Sequence, residues 1–435
     1  MQRSPEIKDN TAAPKTRANP GDILSLLLLI GGDIVQKAIA QMQPSRALIT
    51  IPITPVAFSF GWVAFGFSQL LSAVGDRRLL PAPEDAAIIV NCANSFQREN
   101  KSWLLDRLLR DHEIRNHIDE DKDSIKISIF ELGPLRTPKP DHVWMLGWAT
   151  MLAEIGIAIP PWVLYGDWGV MMIVLAGTVL AMATCSLAQW REEKWAGRLL
   201  DHNNVICLTR GNGHKHVMVL LGRAGSPDIE AFATARGAAR HETPVVTAIL
   251  AALWVCLLLS VSGLKDHAWY LIGAGGLGML QNVYAAGAAR SSSTTGLELK
   301  DFKRMPSITA KSQGFKDDPD SNVWLENGAD PKNMPKWVES MKKVDGVPEW
   351  LEPVQEPQVI LRVHGALKEL EKWVPGAGLA MTQVFFPSHL KYEDESVRDN
   401  VNKKIWRRAW HTNRVRRHAE QARRKVEGIT KPKTV

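Results

Sequence analysis

The chain has 435 residues and a mass of 48.3 kDa, enough to bury a full core, which excludes a small scaffold stapled by disulfides or a metal. Four Cys are too few for a disulfide framework, and Cys185 and Cys256 lie in long apolar runs. The net charge of +7 belongs to one segment: from Ser396 onward thirteen Lys/Arg face three acids, so the rest is slightly negative, and a basic nucleic-acid surface spread over the fold is excluded.

Mean hydropathy is −0.13, an average over very apolar and very charged stretches, and that alternation marks a membrane protein. Residues 1–20 form a polar N-terminal tail with four Lys/Arg, and no small-residue cleavage site follows the Leu run behind it, so a cleaved signal is not expected. Residues 21–74 hold the first membrane segments. Ile23 to Gln41 starts very apolar but carries Asp33, Gln36 and Lys37. On a helix Asp33 and Lys37 are four apart and can pair, so the segment either spans or lies flat in the interface. Leu48 to Val74 is long enough to span.

Residues 75–141 read as a cytosolic loop domain. AAIIVNC and IKISIF are strand-like, and Trp103 to Ile118 has helical spacing. Residues 142–189 form a transmembrane hairpin from Met145 to Leu164 and Trp168 to Leu187, joined by a three-residue tip. Residues 190–244 follow as a cytosolic loop in which VICLTR and KHVMVLLG flank a Gly211-Asn212-Gly213 turn, the pattern of a β-hairpin. Residues 245–290 form the second transmembrane hairpin, Val245 to Leu264 and Trp269 to Ala289. The loop Gln189 to Pro244 carries eight Lys/Arg against one in the two hairpin tips, which puts it in the cytosol. The four or so strands of the two loops can share one small sheet with the helix of Trp103 to Ile118 packed on it.

Residues 291–357 are Pro-rich, with Trp324, Trp337 and Trp350 interspersed, and read as cytosolic chain draped over a surface. Residues 358–395 contain a helix around VILRVHGALKELEKW, and residues 396–435 form a basic amphipathic tail. The fold class is an α-helical integral membrane protein with about six transmembrane helices, a small α/β cytosolic portion and a basic amphipathic C-terminal helix. The count is five if Ile23 to Gln41 lies flat.

Few patterns carry chemistry. Gly273, Gly275 and Gly278 match G-x-G-x-x-G, but inside an apolar span and without a βαβ unit, so close helix packing explains them better than a dinucleotide. Glu154 sits within a span, where a carboxylate is costly and therefore a candidate for function, or else a structural hydrogen-bonding group. Pro160 and Pro161 beyond it can break the helix, and with Asp33 and Lys37 it can make an intramembrane polar cluster. Arg98, Asn100, Lys101 and Ser102 crowd a strand-to-helix junction whose amides could take a lipid headgroup phosphate, although Asn and Ser are ordinary caps. His214 and His216 fall at a hairpin turn, where polar residues are usual, and no His or Cys spacing fits zinc. Lys403, Lys404, Trp406, Arg407, Arg408 and Trp410 suit a membrane surface with anionic headgroups. No hydrolase, P-loop or kinase motif is present, so no cofactor, metal ligand or catalytic residue is assigned.

GDILSLLLLIGGDIVQKAIAQ, ITPVAFSFGWVAF, SWLLDRLLRD and LEKWVPGAGLAMTQVFFP together resemble uncharacterised multi-pass membrane proteins of filamentous fungi. The resemblance reaches to about Pro387, leaves the tail uncovered, and implies a membrane protein without implying an activity. The expected partners are the bilayer, anionic lipid headgroups at the tail and other proteins, with no nucleic acid. The leading expectation is a scaffold or regulatory protein. The alternatives are a transporter or channel built on the polar cluster, and a membrane-bound enzyme acting on a lipid or hydrophobic metabolite.

Overall fold

The computed structural model describes residues 31–43, 54–136, 138–235, 240–264, 267–312, 360 and 362–386. The polar N-terminal tail, most of the Pro-rich segment and the basic tail with Lys403, Lys404, Trp406, Arg407, Arg408 and Trp410 lie outside the described residues.

The described chain forms an apolar helical bundle joined to a mixed sheet. The bundle contains α1 (Gly32–Met42), α2 (Gly61–Val74), α4 (His142–Tyr165), α5 (Gly169–Cys185), α6 (Ala188–Lys194), α8 (Thr243–Ser262) and α9 (Ala268–Gly287). By length and composition α4 and α8 can cross a membrane. A third span results if α5 and α6, bent by 43° at their junction, count as one. The core of the bundle is Val35, Phe58, Trp62, Phe65, Val174, Trp190, Trp254 and Leu271 with their neighbours. Its outer faces are apolar as well: Leu152, Val163, Leu164, Val179, Ile249, Leu259 and Leu280 are all exposed. A surface of that kind is compatible with a membrane protein.

Two sequence expectations fail here. Pro160 and Pro161 do not break α4, because they lie in its last turns, and the helix ends beyond them at Gly166 (φ 70°). The stretch Leu48 to Val74 is not a continuous helix. Residues 54–60 are non-helical and buried, and only Gly61–Val74 is helical. Pro55 within that stretch has no N–H to donate to a helix ladder.

The sheet has the order β2 (Phe96–Glu99), β1 (Ile88–Asn91), β4 (Asn204–Thr209), β5 (His216–Gly222), β3 (Asp123–Leu132) and β6 (Leu299–Asp301), with β7 (Ser307–Lys311) also paired to β3. The β4–β5 hairpin is antiparallel, whereas β5 and β3 run parallel. Side chains alternate between two cores, so these central strands are apolar on both faces. Val205, Cys207, Val217 and Val219 pack beneath α11 (Arg362–Trp373) and α12 (Ala377–Phe385). Ile206, Leu208, Met218 and Leu220 pack against α3 (Trp103–Arg115) and α7 (Ile229–Ala233). The result is three layers, helix–sheet–helix. The region after Arg290, read as a draped chain, instead supplies a short helix, α10 (Ser292–Thr295), and the strands β6 and β7.

The two loops separated by a helical hairpin therefore fold together, joined by a third segment. β1 to β3 precede the α4–α5 hairpin, β4 and β5 lie between the hairpins, and β6 and β7 follow the α8–α9 hairpin. At the far end the hairpin tips touch. The His267 ring meets Asp167 Oδ2 at 3.2 Å and stacks on Tyr165 with 4.3 Å between ring centroids.

Candidate functional site

The site begins with a stretch of backbone that no helix can satisfy. Residues 54–60, Thr-Pro-Val-Ala-Phe-Ser-Phe, are buried at every position in the middle of the bundle. An irregular segment there must find partners for its own N–H and C=O groups or lose several kcal/mol for each, on the order of the penalty for an unsatisfied group in hydrocarbon. Four side chains meet that need. The Ala57 N–H donates to Gln281 Oε1 at 3.3 Å, and the Phe58 N–H donates to Glu154 Oε2 at 3.3 Å. Asn282 Nδ2 donates to the Ala57 carbonyl at 3.3 Å and to Ser59 Oγ at 3.0 Å, and Trp62 Nε1 donates to the same carbonyl at 2.9 Å.

Glycines on the surrounding helices make the space. A Cβ at Gly275 would run into the Phe60 ring, and one at Gly177 into the Phe58 ring. At Gly147 it would meet the Pro55 carbonyl, and at Gly278 both the Phe58 carbonyl and Glu154 Oε1. Gly275 and Gly278 belong to the G-x-G-x-x-G match, which thus admits a strap of backbone instead of a pyrophosphate.

Satisfaction is incomplete. Glu154 Oε1, Thr54 Oγ1, Gln281 Nε2 and Asn282 Oδ1 are buried without a hydrogen-bond partner. Glu154 and Asn282 have no exposed surface at all. Glu154 is the only Asp, Glu, Lys or Arg in the helices α2, α4, α5, α8 and α9. A lone acid with a free oxygen beside a non-helical segment can exchange a proton or hold a polar solute.

Asp33 and Lys37 do not join it. Asp33 is exposed, and Lys37 reaches Glu84 at 2.7 Å, so the expected Asp33–Lys37 pair is not formed. The reason is that α1 lies at the edge between bundle and sheet, where Glu84 offers a carboxylate outside the apolar interior. The Arg98 to Ser102 junction is also occupied by its own contacts. The Ser102 N–H donates to Asn100 Oδ1, and Asn100 Nδ2 donates back to the Ser102 carbonyl. The Lys101 N–H goes to the Ala233 carbonyl, and Arg98 lies 3.7 Å from Glu230. A headgroup phosphate there would find Arg98 next to an acid and the turn amides of Lys101 and Ser102 already bonded.

Two cations that no motif marks hold the polar end of the bundle, and the backbone of one of them, Arg290, joins it to α3, its N–H donating to Asp111 Oδ2 at 3.0 Å. Lys194 is buried, and its Nζ donates to the carbonyls of Ala40 at 2.7 Å and Gln43 at 2.8 Å, capping the C-terminus of α1. Arg290 donates from Nη1 to the Gln41 carbonyl at 2.8 Å and makes a bidentate pair with Asp141, at 2.8 Å on each oxygen. Asp141 also accepts from the Trp144 N–H at the start of α4. Burial opposes the Asp141 charge, but the Arg290 bonds and charge outweigh it and hold its carboxyl below the usual range. Their only sequence signal is position, each at the polar end of an apolar run.

Beneath α3, His112 and His216 pack edge to face with ring centroids 5.9 Å apart. Asn116 Nδ2 donates to His112 Nδ1 at 3.0 Å, while His112 Nε2 and His216 Nδ1 are buried without partners. Burial, joined by the neighbouring His216 and by Arg115 and Lys126, pushes His112 down to about 3. Burial with Lys126, Arg210, His117 and His214 takes His216 down to about 4. Among the described residues no group of three or more His, Cys, Asp or Glu is arranged to hold a metal.

These features define a helical bundle with a polar, strap-like interior, fused to a three-layer α/β domain. Searches of protein-family models, curated proteins and solved structures found no match to the chain.

Proposed function

We propose that the chain is a multi-pass integral membrane protein of the regulatory or scaffold kind, which holds one α/β domain against the cytosolic face of the membrane. The observation that carries this reading is the threading of the sheet, whose strands come from before, between and after the two helical hairpins. Paired strands cannot sit on opposite sides of a bilayer, so the three segments share one side and both hairpins enter from it. The eight Lys/Arg of Gln189 to Pro244 favour the cytosol for that side. In this reading α4, α5 with α6, α8 and α9 are four spans; the end of α1 is bonded to Lys194 and Arg290 and the chain just after α2 to Glu193, so residues 43–74 start and finish on the domain side and add no further span.

The Arg290 N–H bonded to Asp111 and the Arg110 guanidinium bonded to the Gly287 carbonyl tie α3 of the domain to the end of α9, so a rearrangement in either reaches the other. That coupling suits a protein that reports a membrane event to cytosolic protein partners. The basic tail supplies a second attachment, to anionic headgroups. The test is alkaline extraction of membranes followed by cross-linking and purification of the full-length chain. The protein should stay in the membrane pellet, and a defined partner should be bridged to residues of the α/β domain. Release by alkali, or substrate turnover by purified protein with no such partner, would contradict the reading.

A second reading, a transporter or channel, is favoured by one observation, the buried non-helical stretch 54–60 beside Glu154. Solute flux into proteoliposomes that Glu154→Gln abolishes is its expected signature. Flux unchanged by that substitution would remove Glu154 from the pathway.

A further inference from the structure

We infer that Glu154 is a reversible proton-binding site, and that its proton locks the strap of residues 54–60 in the bundle. Two acceptors meet over Gly278, the Phe58 carbonyl and a Glu154 oxygen that has no donor. Glu154 Oε2 accepts from the Phe58 N–H at 3.3 Å, while Oε1 has no partner. Oε1 and the Phe58 carbonyl oxygen both lie over Gly278, close enough that one added Cβ would strike both. A carboxylate and a carbonyl repel each other in an apolar interior. A proton on Oε1 turns the repulsion into an O–H···O=C bond to Phe58. Glu154 and Phe58 would then exchange two hydrogen bonds, N–H to Oε2 and Oε1–H to C=O, as two residues do in a strand ladder.

No other charge competes for this role. The strap offers only Thr54 and Ser59, and α9 sets Gly278 against Glu154 and the uncharged Gln281 and Asn282 against the strap. The ionisable groups of α4, α5, α8 and α9 other than Glu154 are His142, Tyr165, Cys185, Cys256, Tyr270 and Tyr284, and His267 caps α9. His142 is bonded to Tyr284, and His267 with Tyr165 lies at the hairpin tips. No Lys or Arg of these helices is present to stabilise an anion at Glu154.

Because Glu154 has no exposed surface, its proton can leave only when water is admitted, and the strap, bonded to it through Phe58, is the element whose withdrawal we infer admits it. The Oε1–H bond breaks, the proton passes to water admitted with the movement, and the carboxylate keeps the electron pair. The Phe58 carbonyl then loses its donor, so ionisation and release of the strap are one event. The consequence stands under either functional reading, and it rests on the bundle alone.

Infrared difference spectroscopy of the full-length protein in lipid nanodiscs, taken across pH against a reference spectrum, tests it. The wild-type chain should show a protonated carboxylic acid carbonyl band that disappears as the pH is raised while the helical signal is retained. Glu154→Gln should lack the band and keep the helices, because the amide donates to Phe58 as the acid does. If the Gln chain is not recovered, Glu154→Asp should shift the band. Absence of the band at every pH, a band unmoved by either substitution, or a band that persists unchanged until the protein unfolds would overturn the inference. Alkaline extraction tests membrane embedding separately, so failure of one leaves the other intact.

Discussion

Gly278 and Gly276 are neighbours in one glycine-rich run, yet they face different surroundings. A Cβ at Gly278 meets the Phe58 carbonyl and Glu154, whereas at Gly276 nothing lies within 4 Å. Gly278→Ala should therefore cost about 1–3 kcal/mol, the range for overpacking a core, and Gly276→Ala should be neutral or slightly stabilising in its helix. Thermal melting of the two variants in one detergent decides it, and equal effects would mean that the strap does not lie on Gly278. Lys194→Met keeps the stem and removes the donor to three carbonyls of residues 40–43. Loss of a charge-assisted cap of this kind should lower stability by about 2 kcal/mol, seen as a lower melting temperature. A melting temperature equal to wild type would show that the α1 carbonyls find other donors. At this scale the sequence exposed Glu154, because an acid in an apolar run stands out. It did not expose what Glu154 binds, since Phe58 is 96 residues away in sequence and looks like one more apolar residue. Gln281 and Asn282 were legible in principle as adjacent amides in an apolar run. The strap itself had only Pro55 as a signal.

Among the elements, the hairpin of β4 and β5 and the helix α3 follow from local rules: a Gly/Asn turn between β-rich runs, and apolar spacing ended by Asn116, whose side chain reaches back to the His112 carbonyl at 3.0 Å. β2 and β6 were not legible, because strands of three or four residues show no usable period and are made by pairing with β1 and β3. β7 does alternate, with Ile308 and Ala310 inward, but over five residues directly after Pro306 that signal is weak. The packing of α3 on the sheet makes a pH prediction. His112 titrates near 6.5 when unfolded and at about 3 when folded, so between those values the unfolded chain holds the extra proton. Stability of the α/β domain therefore falls as pH drops below about 6.5, by up to about 1.4 kcal/mol per pH unit for this histidine, and is unaffected by it above that pH. His216 acts in the same direction, down to about 4. Urea melts followed by hydrogen exchange at β3 and β5 should show the loss, and His112→Gln should flatten it. A wild-type profile that is flat from pH 7 to 5 would mean that His112 is not buried neutral.

For the whole molecule, sequence hydropathy located four of the helices closely, because apolar length is a strong signal, and it overcounted helical length between residues 48 and 74. The strand-like runs of the two loops suggested a shared sheet, but neither the contribution of the third segment, β6 and β7, nor the register was legible. The parallel β3–β5 pair joins strands more than eighty residues apart in the chain, across a complete helical hairpin. No local pattern encodes such a pairing. The account stands on that sheet and on its lying in the cytosol. Glycosylation mapping in microsomes tests it most directly, because Asn100-Lys101-Ser102 is a natural acceptor triplet and His214→Thr makes a second one at Asn212 in the β4–β5 turn. A third acceptor, placed in a loop inserted at the Gly166 tip, reports the other side. The account predicts that Asn100 and Asn212 stay unmodified while the lengthened tip gains a glycan sensitive to endoglycosidase. Modification at Asn100 or Asn212, or an unmodified tip in a chain shown to be inserted, would contradict it.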